Sequence, residues 1–122
     1  MAEGLARTVG RELVEAYSAG TNPSGVISED AIEIMRELKV DISGARSKSL
    51  ADVPVAEMDI VVSMAPRPAL MMVPRDFRGR TIDWRVEDPV GKSLNTFRRV
   101  RAELDVLVRQ LMEDIRRYPP VS

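Results

Sequence analysis

The chain has 122 residues, 44% hydrophobic and 30% charged, which fits one domain with a core that needs no disulfide or metal. A net charge of −1 gives no electrostatic reason to bind nucleic acid or an anionic membrane, and no apolar run nears the roughly 20 residues of a bilayer span. There is no cysteine and no histidine, so disulfides, thiol chemistry and the usual transition-metal ligands are excluded.

Residues 2–9 are predicted helical from the propensities of Ala, Glu, Leu and Arg, with Gly10 at the C-terminal end. Residues 13–18 alternate and predict a strand, with Val14, Ala16 and Ser18 on one face and Leu13, Glu15 and Tyr17 on the other. Residues 19–25, rich in Gly, Asn, Pro and Ser, form a loop. Ser28 is placed to cap a second helix, with Glu29 and Asp30 in its first turn and Ala31, Ile34, Met35 and Leu38 as its apolar stripe.

Residues 47–52 read as one helical turn. Ile60-Val61-Val62 marks a strand over 59–64 of the kind covered on both faces, ended by Pro66 and Pro68. Residues 80–86, with Trp84 inside, read as another strand. From 93 to 117, Phe97, Val100, Leu104, Leu107, Val108, Leu111 and Ile115 follow a helical period, and Pro119-Pro120 stops the helix. Helices alternate with strands, so the expected class is α/β with a parallel sheet. No repeat or linker divides residues 1–122, so a single domain is expected.

Asp88-Pro89 is the sharpest chemical signal. Alone, Asp before Pro is a common turn starter. Here it follows a strand and precedes the long helix. Ser18-Ala19-Gly20-Thr21 supplies small residues at a strand exit. Arg46, Lys48 and Ser49 read first as a solvated loop. Arg98, Arg99 and Arg101, offset by Glu103 and Asp105, read as a solvated helix face. Met58, Met64, Leu70, Met71, Met72 and Val73 serve either as core filling or as an exposed contact surface. No Gly-rich phosphate cradle is present, and no Ser-His-Asp set is available without histidine.

Three stretches, in order, resemble the low-molecular-weight protein tyrosine phosphatase and arsenate reductase family. They are Tyr17 to Thr21, Asp41 to Leu50, and Trp84 to Pro89. The resemblance implies a flavodoxin-like parallel sheet between helical layers, with a central first strand followed by a loop of Cys, five residues and Arg. That loop's thiolate attacks phosphate or arsenate. Met1 to Arg7 resembles the helix that follows the loop, so the first strand and the loop are expected to be missing from this chain. Three strands are then expected, at 13–18, 59–64 and 80–86.

The resemblance makes Asp88 a vestigial general acid, and it makes Ser18, Thr21 and Arg46 binding residues around the loop. Thioredoxin-coupled arsenate reductases carry two more cysteines near Ser63-Met64-Ala65, which favours the plain phosphatase-like reading. No cofactor is implied. The leading functional expectation is a non-catalytic binding or regulatory protein. The alternative is an active phosphatase or arsenate reductase whose catalytic loop lies outside this chain, and in-frame codons upstream of Met1 would reveal it. A third is an interaction module using the apolar surface at 64–73. A cytoplasmic protein is expected, free of nucleic acid and membrane. It is expected to self-associate or pair with a partner protein, because an apolar strand such as Ile60-Val61-Val62 at a sheet edge invites pairing.

Overall fold

A computed structural model describes residues 1–19, 29–44, 52–64, 67–89 and 91–119. Its longest element is helix α3 (Leu94–Arg117), on which α1 (Ala2–Val9) and α2 (Glu29–Arg36) both pack. Ser93 caps α3 by accepting the Thr96 N–H, and Arg116 and Arg117 in the last turn complement the helix dipole. Phe97, Val100, Leu104, Val108, Met112 and Ile115 are buried along one face. Leu107 and Leu111, predicted within that stripe, lie half-buried at its margin, and Met112 takes the central place. The cause is α1. A Cβ at Gly10 would sit 2.6 Å from the Met112 sulfur, so the glycine leaves room for this methionine under the end of α1.

Helix α2 contributes Ala31, Ile34 and Met35 to the same core. Leu38, predicted in that stripe, is exposed because the helix has already ended. The chain turns through Lys39 in the left-handed region (φ 60°), and the Val40 N–H closes onto the Met35 carbonyl at 3.1 Å.

Strands β1 (Ile60–Ser63) and β2 (Arg80–Asp83) pair in parallel, from Ile60 opposite Arg80 to Ser63 opposite Asp83. Arg80 N–H bonds to the Asp59 carbonyl at 2.9 Å and Trp84 N–H to the Ser63 carbonyl at 2.8 Å, closing the ladder at both ends. Gly79 permits the entry into β2, since a Cβ there would lie 2.4 Å from the Asp59 carbonyl oxygen. The strands predicted at 59–64 and 80–86 are therefore present but shorter.

The predicted strand at 13–18 does not form. Residues 11–13 make a turn in which the N–H groups of Leu13 and Val14 both reach the Gly10 carbonyl, at 2.8 and 2.9 Å, and residues 14–19 join no ladder. Side chains satisfy that segment instead. Arg7 donates to the Ala16 carbonyl at 3.1 and 3.3 Å, and the Tyr17 hydroxyl donates to Glu15 at 2.6 Å. Alternation marks the two faces of a strand, but a strand also needs a neighbour's backbone. Among the described residues β1 pairs only with β2, so the sheet has two strands where three were expected. The α/β class with a parallel sheet holds. Among the described residues, no helix is long and apolar enough to cross a membrane.

Candidate functional site

Two side chains organise the C-terminal edge of the sheet. At the end of β2, the Asp83 carboxylate accepts the Ala69 N–H at 2.8 Å. At the end of β1, the buried Ser63 hydroxyl donates to the Arg67 carbonyl at 2.6 Å. Together they hold a 3-10 turn at Ala69–Met71 over the sheet edge. Ala69 is buried in that turn, whereas Leu70 is 72% exposed and Met71 is also exposed. The apolar cluster of the sequence thus divides. Met58, Met72 and Val73 are half-buried, while Met64, Leu70 and Met71 face outward.

From β2 the chain runs to Asp88-Pro89. Asp88 is exposed and Pro89 is buried. The Pro89 carbonyl accepts the Lys92 N–H at 2.9 Å across a tight turn whose third residue, Gly91, has φ +80°. A side chain there would be strained. The Glu87 carboxylate binds the Lys92 ammonium at 2.6 Å and also the Arg99 guanidinium. Lys92 foremost, with Arg99, holds the Glu87 carboxyl below the usual carboxylate range. Glu87 therefore fastens the loop that carries Asp88 onto α3. Glu87 lies within the stretch from Trp84 to Pro89, but the sequence alone assigns it no role. The available signal was the pair of cations, Lys92 and Arg99, that follow it.

The other predicted site residues are not gathered around Asp88 by the described structure. The Ser18 hydroxyl donates to Glu3 of α1 at 2.9 Å, so it braces the 14–19 segment. Thr21 and Arg46 lie outside the described residues, as do Ser28 and all but Asp52 of the helical turn expected over 47–52. Two surface depressions, of about 470 and 430 Å³, lie elsewhere. One is floored by Val9 and Met112, the other lies beside Asp59, Arg78 and Arg80, and Asp88 lines neither.

The basic patch on α3 is not simply solvated. Arg98 and Arg101 converge on Glu37, each at 2.8 Å. Arg101, with its side chain 18% exposed, also donates to the Ile34 carbonyl at 2.9 Å. This satisfies one of the last carbonyls of α2, where a cation is favoured. The Glu37 carboxyl, bonded first by Arg98 and then by Arg101, is pushed down from 4.5 to about 2. A depressed carboxyl stabilises the fold fully above its unfolded value and loses that contribution as pH falls through the folded value. The α2–α3 tie should therefore fade between about pH 4.5 and pH 2. Urea midpoints should fall more steeply over that window in the native chain than in Glu37→Gln. The difference should shrink in high salt, because the pair is solvent-accessible. Parallel profiles for the two proteins would contradict it.

The family model for low molecular weight phosphotyrosine protein phosphatase matches residues 1–119. The chain belongs to this family. It is 34% identical over 117 residues to a glutaredoxin arsenate reductase of Synechocystis sp., covering 94% of this chain and 87% of that protein. It is 32% identical over 116 residues to arsenate reductase 2 of Staphylococcus saprophyticus, covering 93% and 86%. Among solved structures it resembles an arsenate reductase in the phosphate binding state, with TM-score 0.79 and 30% identity over 93% of this chain and 86% of that one. A low molecular weight protein tyrosine phosphatase from T. tengcongensis gives TM-score 0.79 and 29% identity over 93% and 88%. The family match thus spans both the α1 segment and the Asp88 loop, and no cysteine lies within it.

Proposed function

We propose that this phosphatase-family chain acts in the cytoplasm as a binding or regulatory protein and does not turn substrate over. One observation carries this reading: the 122 residues contain no cysteine. Chemistry of the family's type begins with attack by a thiolate on phosphorus or arsenic. A general acid contributes only once a leaving oxygen is departing, so Asp88 has nothing to protonate. Its loop remains well built, with Glu87 clamped by Lys92 and Arg99. That supports a retained surface rather than a retained reaction.

The test is steady-state turnover of an aryl phosphate, and of arsenate with a thiol reductant, by the purified chain. No turnover above buffer is expected. Turnover that follows the protein through purification and disappears in Asp88→Ala would overturn the proposal.

A second reading rests on the names of the relatives, which are arsenate reductases and a tyrosine phosphatase. In it, residues outside this chain supply the nucleophile, and the product is an active reductase or phosphatase. In-frame codons for Cys, five residues and Arg upstream of Met1 would favour it.

A further inference from the structure

We propose that Met71 is a site of reversible oxidation by hydroperoxides, at which one added oxygen turns an apolar surface polar while the core stays intact. The chain has seven methionines and no cysteine, so its oxidisable sulfur is thioether sulfur alone. The fold sorts those seven. Met35 and Met112 are buried in the core, and Met1, Met58 and Met72 are half-buried. Met64 is 42% exposed and Met71 is 63% exposed.

The turn that carries Met71 explains its exposure. Within it, the Met71 N–H bonds to the Pro68 carbonyl at 3.0 Å and the Met72 N–H to the Ala69 carbonyl at 2.9 Å. From beneath, the Asp83 carboxylate holds the Ala69 N–H, and the Ser63 hydroxyl holds the Arg67 carbonyl. Ala69 is thereby pinned inward, and the two residues after it project outward. Both tethers come from the ends of β1 and β2, so the placement of the turn does not depend on what lies along the other edge of β1.

The oxidation is a two-electron oxygen transfer. The sulfur lone pair attacks one peroxide oxygen, the O–O bond breaks, and a proton shift lets the other oxygen leave as water. Sulfur is oxidised to the sulfoxide and the peroxide is reduced. Methionine sulfoxide reductases reverse the change. The sulfur must meet the oxidant, so a core thioether reacts only when the fold opens, whereas an exposed one reacts in the native state.

The product carries a polar S=O group. At Met35 or Met112 that group would lie without a partner in an apolar core. At Met71 water solvates it. Met71 and Leu70 together form the outward apolar tip of the turn, so one oxygen makes the tip polar and spares the fold. This chemistry is separate from both readings of the Asp88 loop.

The experiment exposes the native chain to hydrogen peroxide and follows each methionine by peptide digestion and tandem mass spectrometry, which separates Met71 from Met72. Met71 should gain oxygen first, with Met35 and Met112 slower by more than about tenfold. Once Met71 is oxidised in most molecules, the circular dichroism spectrum and the thermal midpoint should be unchanged, and retention on a phenyl matrix should fall. A methionine sulfoxide reductase with dithiothreitol should restore the retention. Met71→Leu should keep its retention under the same exposure. Another methionine gaining oxygen as fast as Met71 overturns the proposal. So does unchanged retention, or a lowered thermal midpoint, after Met71 is oxidised. The ranking of the methionines is read on the native chain, so it decides the matter whatever the variant does.

Discussion

Phe97→Ala is expected to remove about 3–5 kcal/mol of folding stability. The ring is 1% exposed and stands one turn into α3. It belongs to the cluster that joins Leu5 of α1, Ile34 and Met35 of α2, and Val100 and Leu104 of its own helix. Three helices build this cluster, and the ring is fully buried in it, so its loss leaves a cavity in the shared core. Domains of this kind are stable by only about 5–15 kcal/mol, so the loss should leave a marginal fold. Urea unfolding followed by tryptophan fluorescence reads it, because Trp84 packs against the same cluster. A loss below about 1 kcal/mol would mean that Phe97 is not at the centre of the core.

The second large effect is a contrast along α3. Leu104, 4% exposed, should cost about 2–5 kcal/mol on truncation to alanine. Leu107, half-buried at the margin of the same face, should cost clearly less. Val106, 55% exposed, should change stability by no more than about 0.5 kcal/mol. The three lie within four residues of one helix, so position is nearly constant and burial dominates the order, with Val106→Ala also gaining a few tenths of a kcal/mol (about 0.5 at most) in helix propensity. Equal costs at 104 and 107, or a large one at 106, would contradict the rotation of α3 about its axis.

Helix α3 was legible in the sequence because a helix reports its buried face through local spacing. Phe97, Val100, Leu104, Val108 and Ile115 recur at that spacing whatever they pack against. Met112 was not legible, because its burial depends on the space left by Gly10 about one hundred positions earlier in the chain. β1 was legible from Ile60-Val61-Val62. The segment at 13–18 shows the opposite limit. Its alternation was correctly seen, yet the strand is absent, since pairing requires a neighbour's backbone and Arg7 serves the Ala16 carbonyl instead.

The candidate site was legible to a similar degree. The chain order strand, Asp88-Pro89, long helix was legible and is the order of the fold. The convergence of Arg98 and Arg101 on Glu37, more than sixty positions earlier, was not visible, because charge in a sequence carries no distant partner. Thr21 and Arg46 lie outside the described residues, so their expected binding roles remain proposals.

The central claim is that a fold of this family, without a thiol, makes no covalent attack on phosphorus. Single-turnover chemistry tests it most directly, since one attack per molecule suffices for detection. Purified chain is mixed with a matching amount of aryl phosphate, the released phenol is followed optically, and the protein is then weighed intact by mass spectrometry. The account predicts no release above buffer and an unmodified mass. A burst of phenol equal to the protein present, with a phosphoryl group bound to the chain, would contradict it.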